Sequence, residues 1–124
     1  MKTYVDGFIV PVPKKKLAEY LKLAKKAGKI WMEYGALEYN ECLADDVKKG
    51  KWTSFPRSVK LKPSEIVFYS WIVYKSRKHR DQIMKKVMSD PRLKMEMSNM
   101  PFDGKRMIWG GFKTMVSFGG KSGK

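Results

Sequence analysis

The chain has 124 residues, 43% of them hydrophobic, and its 27 lysines and arginines against 12 acidic residues give a formal net charge of +15. This length suits one domain with one hydrophobic core. The longest apolar run, residues 66–74, is far shorter than the roughly 20 residues that cross a bilayer, so we expect no membrane span. The first residues lack a signal-peptide pattern and the single cysteine allows no internal disulfide, which predicts a cytoplasmic protein.

The net charge predicts attraction to any polyanion at low salt. Proteins that recognise specific nucleic acids usually concentrate their basic residues on one reading element, whereas the lysines here are spread along the whole chain. We therefore interpret the charge as a solvated surface and expect any contact with nucleic acid to be non-specific.

The first two predicted elements are a strand and a helix. Residues 3–10, TYVDGFIV, are rich in β-branched and aromatic residues, and Pro11 and Pro13 indicate that the strand ends there. From Lys14 onward, apolar side chains recur three or four residues apart. This spacing predicts a helix that continues to Gly35.

A second strand is predicted over residues 36–44, and a long basic connection follows over residues 45–64. The segment IVFYSWIVY, residues 66–74, has the strongest strand propensity in the chain. Ser76 then suits the N-cap of a second long helix. A short helix is predicted from Pro91 to about residue 97, because proline is favoured in a first helical turn.

The last predicted strand lies in MPFDGKRMIWGGF, residues 100–112, after a turn at Asp103 and Gly104. The order strand, helix, strand, strand, helix, strand predicts an α+β, ferredoxin-like fold: a four-stranded antiparallel sheet with both helices on one face. We expect residues 1–118 to form this single domain and residues 119–124 to form a flexible tail.

The segment over residues 66–74 also predicts how the protein assembles. Both sets of its alternating side chains are apolar, although a strand with one face in water should alternate polar and apolar residues. Something other than the two helices must therefore cover the second face of the sheet. A second copy, packed sheet against sheet, is the simplest cover, and we expect a homodimer with a barrel-like interior.

Six segments carry a resemblance to a known family across nearly the whole chain: YVDGFIVPVPK, GALEYNEC, TSFPRSVK, SWIVYKSRKHRD, KVMSDPRLK and MPFDGKRMIWGGF. In this order they resemble the YbaA-like family of uncharacterised conserved bacterial proteins. The resemblance implies the dimeric α+β barrel fold, in agreement with the assembly expected above. It implies no substrate and no catalytic residue.

Candidate ligand-binding residues are polar groups on the predicted strands. Asp6 should face the uncovered side of the sheet together with Tyr4, because an acid is not expected in a helix-covered core. Glu38 lies on the more polar face of the second strand, Ser70 interrupts the third, and Arg106 precedes the fourth. We predict that these residues converge on one pocket. The alternative is that Asp6 or Glu38 pairs with Arg106 only to neutralise a buried charge.

Three further residues have less distinctive contexts. Glu41 falls on the face opposite Glu38, which a bulge in the strand would explain. His79 is flanked by cations on a predicted surface helix, and Cys42 has no base predicted beside it, so we interpret both as structural. With one histidine and one cysteine, a zinc site would depend on carboxylates, and we expect neither a metal nor a cofactor.

The connection over residues 45–64 is longer than a compact domain requires. Trp52 and Phe55 argue against pure disorder, and we expect a lid over the barrel or an arm that reaches the partner subunit.

These observations favour an uncharacterised homodimeric barrel that binds a small, partly apolar molecule. Cofactor-free oxygenase or isomerase chemistry would fit the superfamily by analogy of fold alone. The alternatives are a non-catalytic module that binds RNA or another acidic partner, and a structural dimer with a filled interior.

Overall fold

The computed structural model describes residues 3–97 and 100–119, without the side chains of residues 95–97. Its sheet has four strands: β1 (Tyr4–Pro13), β2 (Glu38–Leu43), β3 (Glu65–Tyr74) and β4 (Ile108–Lys113). They lie in the order β2-β3-β1-β4, and every neighbouring pair is antiparallel. This is the predicted ferredoxin-like order.

The helices are α1 (Leu17–Glu33), which follows a short 3-10 turn at Lys14–Lys16, then α2 (Phe55–Ser58), α3 (Arg77–Met88) and α4 (Pro91–Met97). The two long helices, α1 and α3, pack with one face of the sheet in a shared core. The predicted α+β fold class is therefore confirmed. No helix in the described part of the chain is long and apolar enough to cross a bilayer.

The helix ends follow from local chemistry. Ser76 caps α3, because its hydroxyl accepts a hydrogen bond from the backbone N–H of His79 at 3.0 Å. Helix α1 stops before Gly35, whose φ of +112° lies in the region that favours glycine.

The first strand is longer than predicted, because Pro11 and Pro13 continue it. Strand β4 pairs with β1 only as far as Ile9, so the next residues of β1 have no strand neighbour on that side. The carbonyl of Pro11 instead accepts a hydrogen bond from the backbone N–H of Asp103, on the β4 side. The missing N–H groups of both prolines face the same side, where they cost no sheet hydrogen bond.

The register divides the sheet into two faces. Tyr4, Asp6 and Phe8 of β1 lie on the face that the helices cover, whereas the alternating residues Val5 and Gly7 lie on the other face. That second face, called here the open face, also carries Tyr69, Trp71, Ile108 and Phe112. The prediction of two apolar sheet faces is confirmed, while the domain limits stay a prediction.

The connection between β2 and β3 covers one end of the open face. Val59 is only 1% exposed and packs with Ile9 and Val67 in a small separate core. Away from this end the open face remains accessible, since Tyr69 is 49% and Phe112 is 64% exposed. The predicted flexible tail falls, except for Gly119, outside the described residues.

Candidate functional site

A cavity of about 400 Å³ lies between the helix-covered face of the sheet and the helices. Aromatic side chains form much of its wall: Phe8, Tyr20, Trp31, Tyr39, Phe102 and Trp109. Four methionines complete it: Met84, Met88, Met100 and Met107. A largely apolar pocket of this size is typical of small-molecule sites.

Small residues on α1 leave room for this cavity. Ala24 and Ala27 face it one turn apart, where larger apolar side chains would fill the space between helix and sheet. Gly28 lets the helix approach Tyr39, since a Cβ atom at this position would lie 2.9 Å from the tyrosine Cδ1. The cavity is thus built by α1 as much as by the sheet.

Glu41 is the principal polar group of the cavity. Its Oε1 accepts hydrogen bonds from the hydroxyls of Tyr20 at 2.8 Å and Ser70 at 2.5 Å, and its Oε2 accepts one from Tyr39 at 3.1 Å. A carboxylate has about four acceptor positions, and the hydrogen bonds from these described residues use three of them. The expected bulge is absent from β2, because Glu41 pairs with Ser70 in an unbroken register.

The two tyrosines act as donors to this carboxylate over the whole ordinary pH range. Burial raises the pKa of Tyr20 and of Tyr39 far above the usual value, and the negative charge of Glu41 raises both further. Neither phenol can therefore serve as a base at neutral pH. Their role at the site is to hold the Glu41 side chain in place.

The prediction that Asp6 faces the uncovered side of the sheet is wrong. Asp6 lies on the helix-covered face with 0% exposure, and its Oδ1 is 3.4 Å from Nε of Arg80 on α3. Arg80 also donates to the hydroxyl of Tyr4 at 3.3 Å and lies over the tyrosine ring. The acid is tolerated in the core because a helix far along the chain supplies its counter-charge.

The environment of Asp6 remains unfavourable for a charge. Neither of its carboxylate oxygens has a hydrogen-bond donor in good geometry among the described residues. Burial raises the pKa of Asp6, while the guanidinium of Arg80 and the hydroxyl of Tyr74 oppose the rise. That hydroxyl also accepts the indole N–H of Trp31 at 3.0 Å, which links the buried pair to the wall of the cavity.

The predicted convergence on one pocket is also wrong for Glu38 and Arg106. Glu38 is exposed on the opposite face of β2 from Glu41, where it accepts a hydrogen bond from the side chain of Asn40. Arg106 forms a two-nitrogen ion pair with Glu65 and a third bond to Asp103. The alternative pairing of Arg106 with Asp6 or Glu38 is therefore wrong as well.

The contacts of Arg106 have a structural purpose. Beyond its two acidic partners it donates to the backbone carbonyls of Val59 and Lys60 at 3.0 and 2.9 Å. These bonds join the β2–β3 connection to the start of β3 and to the turn before β4. Hydrogen bonds from Arg106 lower the pKa of Glu65.

The remaining predicted residues lie away from the cavity. Trp52 is 91% exposed, and the ring of Phe55 lies 5.9 Å from that of Tyr69 on the open face. A role as lid or dimer arm therefore stays a prediction that concerns the open face. His79 Nδ1 accepts the backbone N–H of Lys75 at 3.0 Å, and burial lowers its pKa.

Among the five predicted ligand-binding residues, Ser70 is the one that lines the cavity. Sequence reasoning missed the central role of Glu41 and its tyrosine partners. The signal was present in the alternation of β2, because Glu41 shares a face with Tyr39 and Leu43 and so had to face the apolar side. Whether any of these residues contacts a ligand stays a prediction.

Comparisons with known proteins agree with the fold and identify the family. The model of the family "Protein of unknown function (DUF1428)" matches residues 3–104, and the chain belongs to this family. The uncharacterized protein YbaA of Escherichia coli (strain K12) is 50% identical over 113 residues, which are 91% of this chain and 97% of that protein. The protein of the same name from Shigella flexneri matches equally well. The predicted family resemblance is thus confirmed.

One solved structure supports the fold from a distant sequence. It is a putative antibiotic biosynthesis monooxygenase from Nitrosomonas europaea, which aligns with a TM-score of 0.60 over 94% of both chains. The two sequences are 13% identical, so the likeness shows the fold alone.

Proposed function

We propose that the protein is a cytoplasmic homodimer in which each subunit binds a small, largely apolar molecule between its sheet and its helices. The observation that carries this proposal is the cavity of about 400 Å³ with a single carboxylate, Glu41, among its described lining residues. Protein interiors are normally packed to the density of organic crystals. A space of this size, kept open by Ala24 and Ala27, is better explained by an occupant than by imperfect packing.

The homodimer is supported by the open face. Tyr69, Ile108 and Phe112 are each more than two-fifths exposed, and together with Trp71 they border a shallow groove of about 630 Å³. A contiguous apolar surface of this kind usually marks an interface. A second copy of the same face would cover it.

An enzymatic activity is a further part of the prediction. Oxygenase or isomerase chemistry rests on analogy of fold, which carries no substrate and no catalytic residue. Binding is the part that the cavity supports. The alternative is a module that binds RNA or another acidic partner. The cavity does not support this alternative, because none of the described residues that line the cavity is basic.

The pocket is tested by filling it. Ala27→Leu places a larger side chain in the cavity, while Ala18→Leu makes the same change on an exposed position of the same helix. The neutral fluorescent probe N-phenyl-1-naphthylamine should bind the wild type and Ala18→Leu equally. Its affinity for Ala27→Leu should fall by about tenfold or more, which corresponds to about 1.4 kcal/mol. Equal binding to all three proteins would place the probe elsewhere and refute the pocket.

The dimer is tested on the open face. Phe112→Lys puts a charge on the proposed interface, whereas Leu21→Lys changes an exposed leucine on α1. Light scattering should give twice the chain mass of 14.4 kDa for the wild type and Leu21→Lys, and the mass of one chain for Phe112→Lys. A monomeric wild type would contradict the proposal.

A further inference from the structure

The charge of the pocket identifies a class of ligand, an inference that rests on the proposed function. The chain carries 27 lysines and arginines, yet none of the described residues that line the cavity is basic. Glu41 is the one carboxylate among them. The interior of the cavity is therefore acidic although the outer surface is basic.

The partners of Glu41, which is partly buried, differ from those of the fully buried acids. Asp6, Glu65 and Asp90 each lie within 4 Å of an arginine nitrogen, from Arg80, Arg106 and Arg92 respectively. Glu41 is held by three hydroxyl groups, which orient it but bring no positive charge. Among the described residues its negative charge has no ion-pair partner, and even partial removal from water makes a carboxylate without one less stable.

The walls around Glu41 suit a cation. Ammonium groups are attracted to the faces of aromatic rings, most strongly to tryptophan, and this attraction grows where water is excluded. Tyr39 contacts Glu41, and the ring of Trp31 lies 5.9 Å from that of Tyr39, so these two aromatic residues are available for this contact. The methionines of the cavity provide apolar surface for the rest of a ligand.

From this arrangement we infer that the pocket takes a protonated amine carried on an aromatic or otherwise apolar body. The ammonium group pairs with the carboxylate of Glu41, and the body fills the space beside Ala24 and Ala27. A carboxylate ligand is repelled by Glu41 in spite of the basic surface, because salt screens exposed charges beyond about 8–10 Å. A neutral alcohol donates a hydrogen bond but leaves the negative charge without a partner.

Three probes that share one ring system separate these ligand classes: 2-naphthylmethylamine, 2-naphthylmethanol and 2-naphthoic acid. Titration calorimetry near pH 7 with the wild-type protein should show the amine bound at least about tenfold more tightly than the alcohol, with no detectable binding of the acid. This order needs no variant. Equal or tighter binding of the alcohol or the acid would overturn the inference.

Two variants then test whether Glu41 causes the preference for the amine over the alcohol. Glu41→Gln keeps the shape of the side chain and should abolish the advantage of the amine over the alcohol. Glu38→Gln removes one negative charge from the opposite face of the same strand and should leave that advantage unchanged. An amine preference that survives in folded Glu41→Gln would overturn the inference.

The outcomes also separate this inference from the proposed function. If the alcohol binds as well as the amine, and Ala27→Leu weakens both, the pocket stands and the amine class is wrong. If none of the three probes binds the wild type but N-phenyl-1-naphthylamine still does, the pocket stands and the amine class is wrong. If that probe fails as well, both are wrong.

Discussion

Replacing Arg80 by methionine should lower the free energy of unfolding, because it leaves the buried Asp6 carboxylate without a counter-charge. Arg80→Met keeps an unbranched side chain of similar length but removes the guanidinium that lies 3.4 Å from Asp6. Asp6 is 0% exposed and has no hydrogen-bond donor in good geometry among the described residues. The hydroxyl of Tyr74 also favours its charged form, but less strongly than Arg80, so it cannot replace the guanidinium. Removing one partner of a buried ion pair costs about 3–5 kcal/mol. This is a large part of the roughly 5–15 kcal/mol by which domains are stable.

The loss of stability in Arg80→Met should depend on pH, and its direction follows from the pKa of Asp6. Burial already raises the pKa of Asp6 in the folded protein above its ordinary value of 3.8, and losing Arg80 removes the main opposing influence. Between the unfolded and the folded pKa values the folded state binds more protons, so stability falls as pH rises through that window. The penalty should therefore be smaller near pH 5 than near pH 8.

Urea unfolding at these two pH values measures the penalty. Arg77→Met is the matched control, because Arg77 lies on the same helix with a 73% exposed side chain, and its loss should change stability by less than about 0.5 kcal/mol. If Arg80→Met is too unstable to fold near pH 8, adding Asp6→Asn should restore folding by removing the buried charge. A penalty below about 1 kcal/mol, or one equal at both pH values, would refute this reasoning.

Two further predictions concern the hydrogen bonds of Glu41 in the cavity and the contacts of the β2–β3 connection. Tyr20→Phe removes one donor to Glu41 and should lower the free energy of unfolding by about 1.5–3 kcal/mol, since the acceptor is charged; a loss below about 0.5 kcal/mol in urea unfolding would contradict this. Arg106→Lys keeps the charge but cannot reproduce the paired bonds to Glu65 or the bonds to two carbonyls, so residues 45–64 should exchange backbone amide hydrogens faster. Unchanged exchange in that segment would show that Arg106 does not hold it.

The fold could be predicted because its signals are local. The apolar spacing from Lys14 onward, the cap at Ser76 and the doubly apolar segment over residues 66–74 each depend on neighbours within a few residues. The prediction that Pro11 and Pro13 end β1 was wrong, because a strand can contain prolines where its neighbour makes no hydrogen bonds to them. Here that depends on where β4 stops pairing with β1, which is a property of the sheet and not of the strand.

The site was less predictable because it depends on partners far apart in the sequence. An acid in a core is acceptable only with a counter-charge, and Asp6 finds one 74 positions later in Arg80. Glu41 is held by hydroxyls from two other elements, which no local pattern indicates. The rule that acids avoid the helix-covered face therefore failed at both positions.

A structure of the protein with 2-naphthylmethylamine tests the central claim most directly. The account predicts the ring system between α1 and the sheet, beside Ala27, with the amine nitrogen within hydrogen-bonding distance, about 3 Å, of the Glu41 carboxylate. A ligand bound on the open face, or one inside the cavity with its nitrogen turned away from Glu41, would contradict it.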